Sequence, residues 1–224
     1  MKIMAIYGNP IRSGFVHDCL DLVTKRLEQN GLNVHRLKLV DADIKDCIGC
    51  FKCLRTGKCS IHDDMEQIMT GMREVDGFVT GGSVRNGYFP AIYKRFYERI
   101  TYILVFGRDL KGKPVSSIGA VGMAGVKKHL GKLLTLREFQ TNVQDYLFFR
   151  TGIPTKLKAG DVTQKLEGLA DRLQAVISDG SGFPISARIR AEIDDFIMRK
   201  FMLEKNPDNV YDFVIRQWKE KKLM

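Results

Sequence analysis

Lys2-Ile3-Met4-Ala5-Ile6-Tyr7-Gly8-Asn9-Pro10-Ile11-Arg12-Ser13-Gly14-Phe15-Val16 holds three patterns in succession. Lys2 to Tyr7 is a short apolar run of the kind that forms a buried strand, and Gly8 stops it. A polar turn follows. Val16, Cys19, Leu20, Val23 and Leu27 then recur at helical spacing, and Gly31 suits the end of that helix. A buried strand, a polar turn and an amphipathic helix open a unit in which the helix packs back onto a parallel sheet.

The unit repeats along the chain. Val34 to Val40 alternates apolar and polar residues, as an edge strand does. Beyond a cysteine-rich stretch, Met65, Ile68, Met69 and Met72 form the inner stripe of a helix. Asp63 is its expected cap, with Glu66 in capping-box position. The methionines read as core. Gly77 to Val84 is a third strand, followed by a helix through Ile92, Phe96 and Ile100. Pro114 to Val121 is a fourth strand, and Leu130, Leu133 and Leu134 open another helix. Pro154 to Ala159 is the expected fifth strand, followed by a helix through Leu166, Leu169, Leu173 and Ile177. The fold class is therefore α/β, a flavodoxin-like doubly wound five-stranded parallel sheet of order 2-1-3-4-5. Ligands bind such sheets beyond the carboxyl ends of the strands, where strand order reverses.

The pattern changes at Gly180-Ser181-Gly182-Phe183-Pro184. Residues 1–180 thus form the main domain, with a cysteine-rich loop at 47–59, and residues 181–224 a C-terminal helical extension. Its two helices carry Ile189, Ile193, Phe196 and Ile197, then Val210, Phe213, Val214 and Trp218. The extension either caps the core or builds an oligomer interface, and the sequence leaves both open.

At 44% hydrophobic and 28% charged residues the chain can bury a core, and disorder is excluded. No apolar stretch approaches a signal core or a membrane span, so the expected location is the cytoplasm. The net charge is +10, but Lys and Arg are scattered rather than striped, which argues against nucleic acid. A positive field also attracts anionic cofactors.

Cys19 falls on the inner stripe of the first helix and reads as core. Cys47, Cys50, Cys53 and Cys59 are spaced C-x2-C-x2-C-x5-C. Packing does not explain four thiols so close together, and a reducing cytoplasm disfavours disulfides. Four thiolates are the ligand set of a [4Fe–4S] cluster or of structural zinc. Successive x2 intervals favour iron, because four-cysteine zinc sites pair two separated knuckles. Redox-active thiols without metal stay open as an alternative.

Three loops follow strands one, three and four. The first, Gly8 to Val16, lacks both the dinucleotide and the P-loop glycine patterns. Asn9, Arg12, Ser13 and the N–H groups of a helix start suit a phosphate monoester; an ordinary polar turn looks the same. The second loop, Gly81 to Pro90, offers N–H groups to a ring's polar edge and Tyr88 or Phe89 to its face. In the third, Gly122 and Gly125 permit close backbone approach.

With these residues quoted, the chain resembles the NAD(P)H-dependent FMN reductase branch of the flavodoxin-like superfamily, and within it the iron–sulfur flavoproteins. The resemblance spans roughly residues 1 to 178. It is carried by the cysteine set ending at Cys59 and Asp63-Asp64, and by Val84 to Arg99. It implies that Asn9, Arg12, Ser13, Gly14, Phe15 and Val16 hold the FMN phosphate. Ser83, Val84, Arg85, Asn86, Gly87 and Tyr88, with Gly122 and Gly125, surround the isoalloxazine. Cys47, Cys50, Cys53 and Cys59 hold the cluster. Phe15-Val16 stands where the family has a polar pair, so one hydroxyl contact is absent. The implied activity is electron transfer between NAD(P)H or ferredoxin and a quinone, oxygen or another protein, with no catalytic acid or base among the residues. A homodimer or homotetramer is implied. An FMN reductase without a cluster and a binding module with a structural zinc loop are the alternatives.

Overall fold

Ile3 to Tyr7 are buried without interruption, which is the burial of a central parallel strand with helices on both faces. They belong to β1 (Lys2–Tyr7), flanked by β2 (Asn33–Lys38) and β3 (Gly77–Val84). The computed structural model describes residues 1–85, 87–122, 134–136, 139, 141–151, 158–180 and 187–224, with side chains in the last span from 195 onward. Within them lie β4 (Pro114–Val121) and β5 (Asn142–Arg150), and the sheet order is β2-β1-β3-β4-β5, all parallel. This is the expected flavodoxin-like order.

Helices α1 (Phe15–Gln29), α2 (Lys52–Thr56), α3 (Met65–Glu74), α4 (Ala91–Gly107) and α5 (Ala159–Asp179) accompany the sheet. α1 and α5 cover one face, where Val16, Leu20, Val23 and Leu27 meet Leu166, Leu169 and Leu173 over Ile3, Ala5 and Val79. α3 and α4 cover the other, where Met65, Ile68, Met69 and Met72 meet Phe96, Ile100 and Leu104 over Met4, Ile6 and Phe78. The methionine stripe is core, as expected, and so is Cys19, 3% exposed.

One strand differs from expectation. β5 is Asn142–Arg150, not Pro154 to Ala159; Ala159 instead starts α5. The pairing of β4 with β5 skips Gln144, since Val115 faces Val143 and Ser116 faces Asp145. Such a bulge resets the alternation of faces, so no continuous period of two runs through the segment. Most of the expected fourth helix lies outside the described residues, although Leu134 is fully buried. Residues 181–184 of the expected linker also lie outside them, following Gly180 at the end of α5.

The tail forms α6 (Ala187–Lys205) and α7 (Asp212–Glu220). It caps the core through a third cluster, in which Leu203, Tyr211, Val214 and Trp218 enclose Leu54 of α2 and Phe106 of α4. The Trp218 and Phe196 rings stack 5.1 Å apart at 11°. Trp218 Nε1 donates to the Phe106 carbonyl, and Lys221 Nζ donates to that of Gly107. The last carbonyls of α4 are thus satisfied from the tail.

Candidate functional site

The carboxyl ends of β1, β3 and β4 lie side by side, with Tyr7 opposite Gly81 and Val84 opposite Val121. The three loops therefore share one edge of the sheet, at the reversal between β1 and β3. Gly8 is required there by space. A Cβ on it would lie 2.4 Å from the Tyr93 ring and 2.8 Å from the Gly81 carbonyl oxygen. Its N–H donates to that oxygen at 2.8 Å.

Asn9 is buried, and its Oδ1 accepts from the Ser83 N–H at 2.9 Å and the Ser83 hydroxyl at 2.8 Å. It ties the first loop to the second. Arg12 turns outward and pairs with Asp41 at 2.7 Å. Ser13 and Gly14 are exposed. Phe15 packs on Phe149, and Val16 enters the core beside Gly81. These two residues therefore offer main-chain N–H groups rather than side chains. Among the described residues no side-chain cap bond closes the start of α1, and an α-helix leaves its first N–H groups without an intrahelical partner.

In the second loop Arg85 and Tyr88 exchange two main-chain hydrogen bonds, at 2.8 and 2.9 Å, around Gly87 with φ +81°. Their N–H groups are satisfied within the turn. Tyr88 projects with 75% exposure, whereas Phe89 is core against Tyr93. Ser83 and Val84 are half-buried at the strand end, and Gly122 is open, with nothing within 4 Å of a built Cβ. Asn86 and Gly125 lie outside the described residues. The cavity bounded by Met1, Asp76, Lys113 and Asn142 is at the opposite edge of the sheet. There Lys113 Nζ donates to the carbonyls of Met72, Arg73 and Val75, so it closes the end of α3 rather than facing a ligand.

The cysteine segment leaves β2 and returns to α3 as a loop closed at its neck. Asp43 N–H donates to Asp64 Oδ2 at 2.7 Å, Asp64 N–H to the Asp43 carbonyl at 3.0 Å, and Lys45 N–H to Asp63 Oδ2 at 2.9 Å. Inside the loop Gly49, Phe51 and Gly57 adopt positive φ, which turns the chain tightly around α2. Cys50 is exposed; Cys47, Cys53 and Cys59 are half-buried. Cys50 Sγ lies 3.4 Å from Ser60 Oγ, and that hydrogen bond holds its thiol below the usual range. Burial pushes Cys53 up to about 11, aided by the charges of Cys59, Cys47 and Cys50. All four thiols thus share one electrostatic neighbourhood. Among the described residues no three Cys, His, Asp or Glu side chains converge as a single metal ion requires.

Asp63 caps α3 only in part: the N-cap position is Asp64, without a side-chain cap bond, while Asp63 Oδ1 accepts the N–H of Met65, the first residue of α3, at 3.1 Å. Asp63 also meets Arg99 of α4, with side chains 0% and 1% exposed. The roles of Arg99 and Tyr93 are not given by local spacing, because each depends on a contact brought in by the fold.

The model of the family "NADPH-dependent FMN reductase" matches residues 1–150. An iron–sulfur flavoprotein of Methanocaldococcus jannaschii is 28% identical over 138 residues, covering 62% of this chain and 69% of its own. An iron–sulfur flavoprotein of Archaeoglobus fulgidus is 34% identical over 130 residues, and the match spans 57% of each chain. The crystal structure of oxidised flavodoxin 1 from Bacillus cereus superposes with a TM-score of 0.53 at 17% identity, covering 78% of this chain and 98% of that one.

Proposed function

Since the chain belongs to the NADPH-dependent FMN reductase family and is thereby an FMN-dependent oxidoreductase, we propose that it couples FMN to a [4Fe–4S] cluster held by Cys47, Cys50, Cys53 and Cys59. The observation that carries this reading is the closed neck of the cysteine loop, which keeps four thiols in one neighbourhood. A zinc ion needs its four sulfurs about 2.3 Å from one point, whereas a cluster takes a wider set. The spacing of the thiols, C-x2-C-x2-C-x5-C, favours the cluster over zinc.

The residues also fit FMN. The main-chain N–H groups of Gly14, Phe15 and Val16 and the Ser13 hydroxyl would hold the phosphate. Asn9 keeps this loop against Ser83, where Val84, Arg85, Asn86, Gly87 and Tyr88 would border the ring with Gly122 and Gly125. Arg12 would contribute charge on leaving Asp41. Bound FMN supplies two-electron chemistry and the cluster one-electron chemistry. The chain's own residues orient and insulate; none is required as acid or base. The donor is NAD(P)H or ferredoxin, and the acceptor a quinone, oxygen or a protein. Among the described residues no helix is long and apolar enough to cross a membrane. A reducing cytoplasm would keep the thiols available. Ile197, Met198, Phe201 and Met202 lie exposed on α6 and would seat a second copy in a homodimer or homotetramer.

Anaerobic purification with flavin, iron, sulfide and zinc analysis tests this reading. It predicts FMN with about four iron and four sulfide per chain. FMN without iron would leave a simple FMN reductase, and zinc without flavin would leave a binding module. A monomeric mass in sedimentation would remove the self-association.

A further inference from the structure

Arg99 lies on α4 with its side chain 1% exposed. A guanidinium out of water needs its charge and every donor matched. Both oxygens of Asp63 supply the match. Arg99 Nη1 donates to Oδ2, and Nη2 donates to Oδ1 at 2.9 Å. Asp63 also accepts the N–H groups of Lys45 at 2.9 Å and Met65 at 3.1 Å, so each carboxylate oxygen has two donors. The fork has further reach. Nη1 also donates to the Lys45 carbonyl at 2.8 Å, and Nη2 approaches Cys59 Sγ at 3.6 Å.

These partners bracket the cysteines. Lys45 stands two residues before Cys47, Cys59 is the last thiol, and Asp63 is at the neck. One turn earlier on the same helix, Arg95 Nε donates to Asp46 at 2.7 Å. The approach of Nη2 to Cys59 Sγ is additional to the Arg99–Asp63 pair, whose two carboxylate oxygens are matched without the sulfur. An N–H directed at a thiolate ligand favours the more negative of two redox states.

We propose that Arg99 is a positioning residue for the four-cysteine cluster, fixing Cys59 Sγ by an N–H···S hydrogen bond and stabilising the reduced state through it. The proposal rests on the cluster reading above. Arg99→Lys keeps the positive charge facing Asp63 but gives up the fork. The double variant Asp63→Asn/Arg99→Gln keeps a hydrogen-bonded pair without charge, should the single variant fail to fold.

The test is an anaerobic redox titration of the reconstituted full-length chain, followed by electron paramagnetic resonance, with iron release to a chelator measured in parallel. In whichever variants fold, FMN content stays at the wild-type value, the cluster midpoint moves to lower potential, and iron is lost about tenfold faster or more. Iron-replete variants with wild-type midpoint and release rate would make the pair a structural brace only and overturn the proposal. A wild-type chain that takes up no iron would overturn the cluster reading and this one with it, an outcome visible before any variant is made.

Discussion

Asp63 and His17 show how residue roles escape a sequence. Asp63 precedes a helix three residues before a Glu, the pattern of a capping box, and it does accept the first N–H of that helix, but its carboxylate also holds Arg99, 36 residues away. No local spacing carries that partnership. His17, in the first turn of α1, is 2% exposed, and neither ring nitrogen has a hydrogen-bond partner among the described residues. Burial lowers its pKa below 6.5; Lys38 adds to the shift, and Asp21, Asp18 and Asp41 oppose it. The unfolded chain therefore binds a proton near pH 6.5 that the folded chain refuses, so stability falls as pH drops below that value. Urea unfolding of the flavin-free protein at pH 7 and pH 5 is expected to show this loss. His17→Phe should reduce it; an equal loss in that variant would contradict the assignment.

At the scale of elements, the strands buried on both faces were legible because continuous apolar runs bounded by glycine and polar turns have few other readings. β5 was not, because the bulge at Gln144 divides its pattern. The thiol spacing marked the cysteine loop, but not the grip of α7 upon it. Gly57 has φ +79°, and a Cβ there would lie 2.4 Å from the Phe213 ring of α7. Gly57→Ala thus combines a strained backbone with a forced gap between α2 and α7. It should cost about 1–3 kcal/mol, which lowers the melting temperature by about 2–12 °C in a chain of this length. An unchanged melting temperature would mean that α7 does not hold the loop.

For the molecule as a whole, α4 relates the two candidate cofactor sites. Its Tyr93 abuts Gly8 in the first loop, and its Arg99 touches Cys59. Those residues are separated by about 9 Å of helix rise. Alternating strands and helices made the sheet order readable, and the order alone placed the three candidate loops on one edge of the sheet. That the cysteine loop packs along α4, with Phe51 against Tyr102 5.2 Å away, depended on tertiary packing that no motif encodes. In the proposed function one chain carries both a flavin and a cluster. An anaerobic reductive titration of the purified protein counts the electrons directly. About three equivalents per chain are expected, two for FMN and one for the cluster; an endpoint at about two, with flavin fully occupied, would contradict the presence of the cluster.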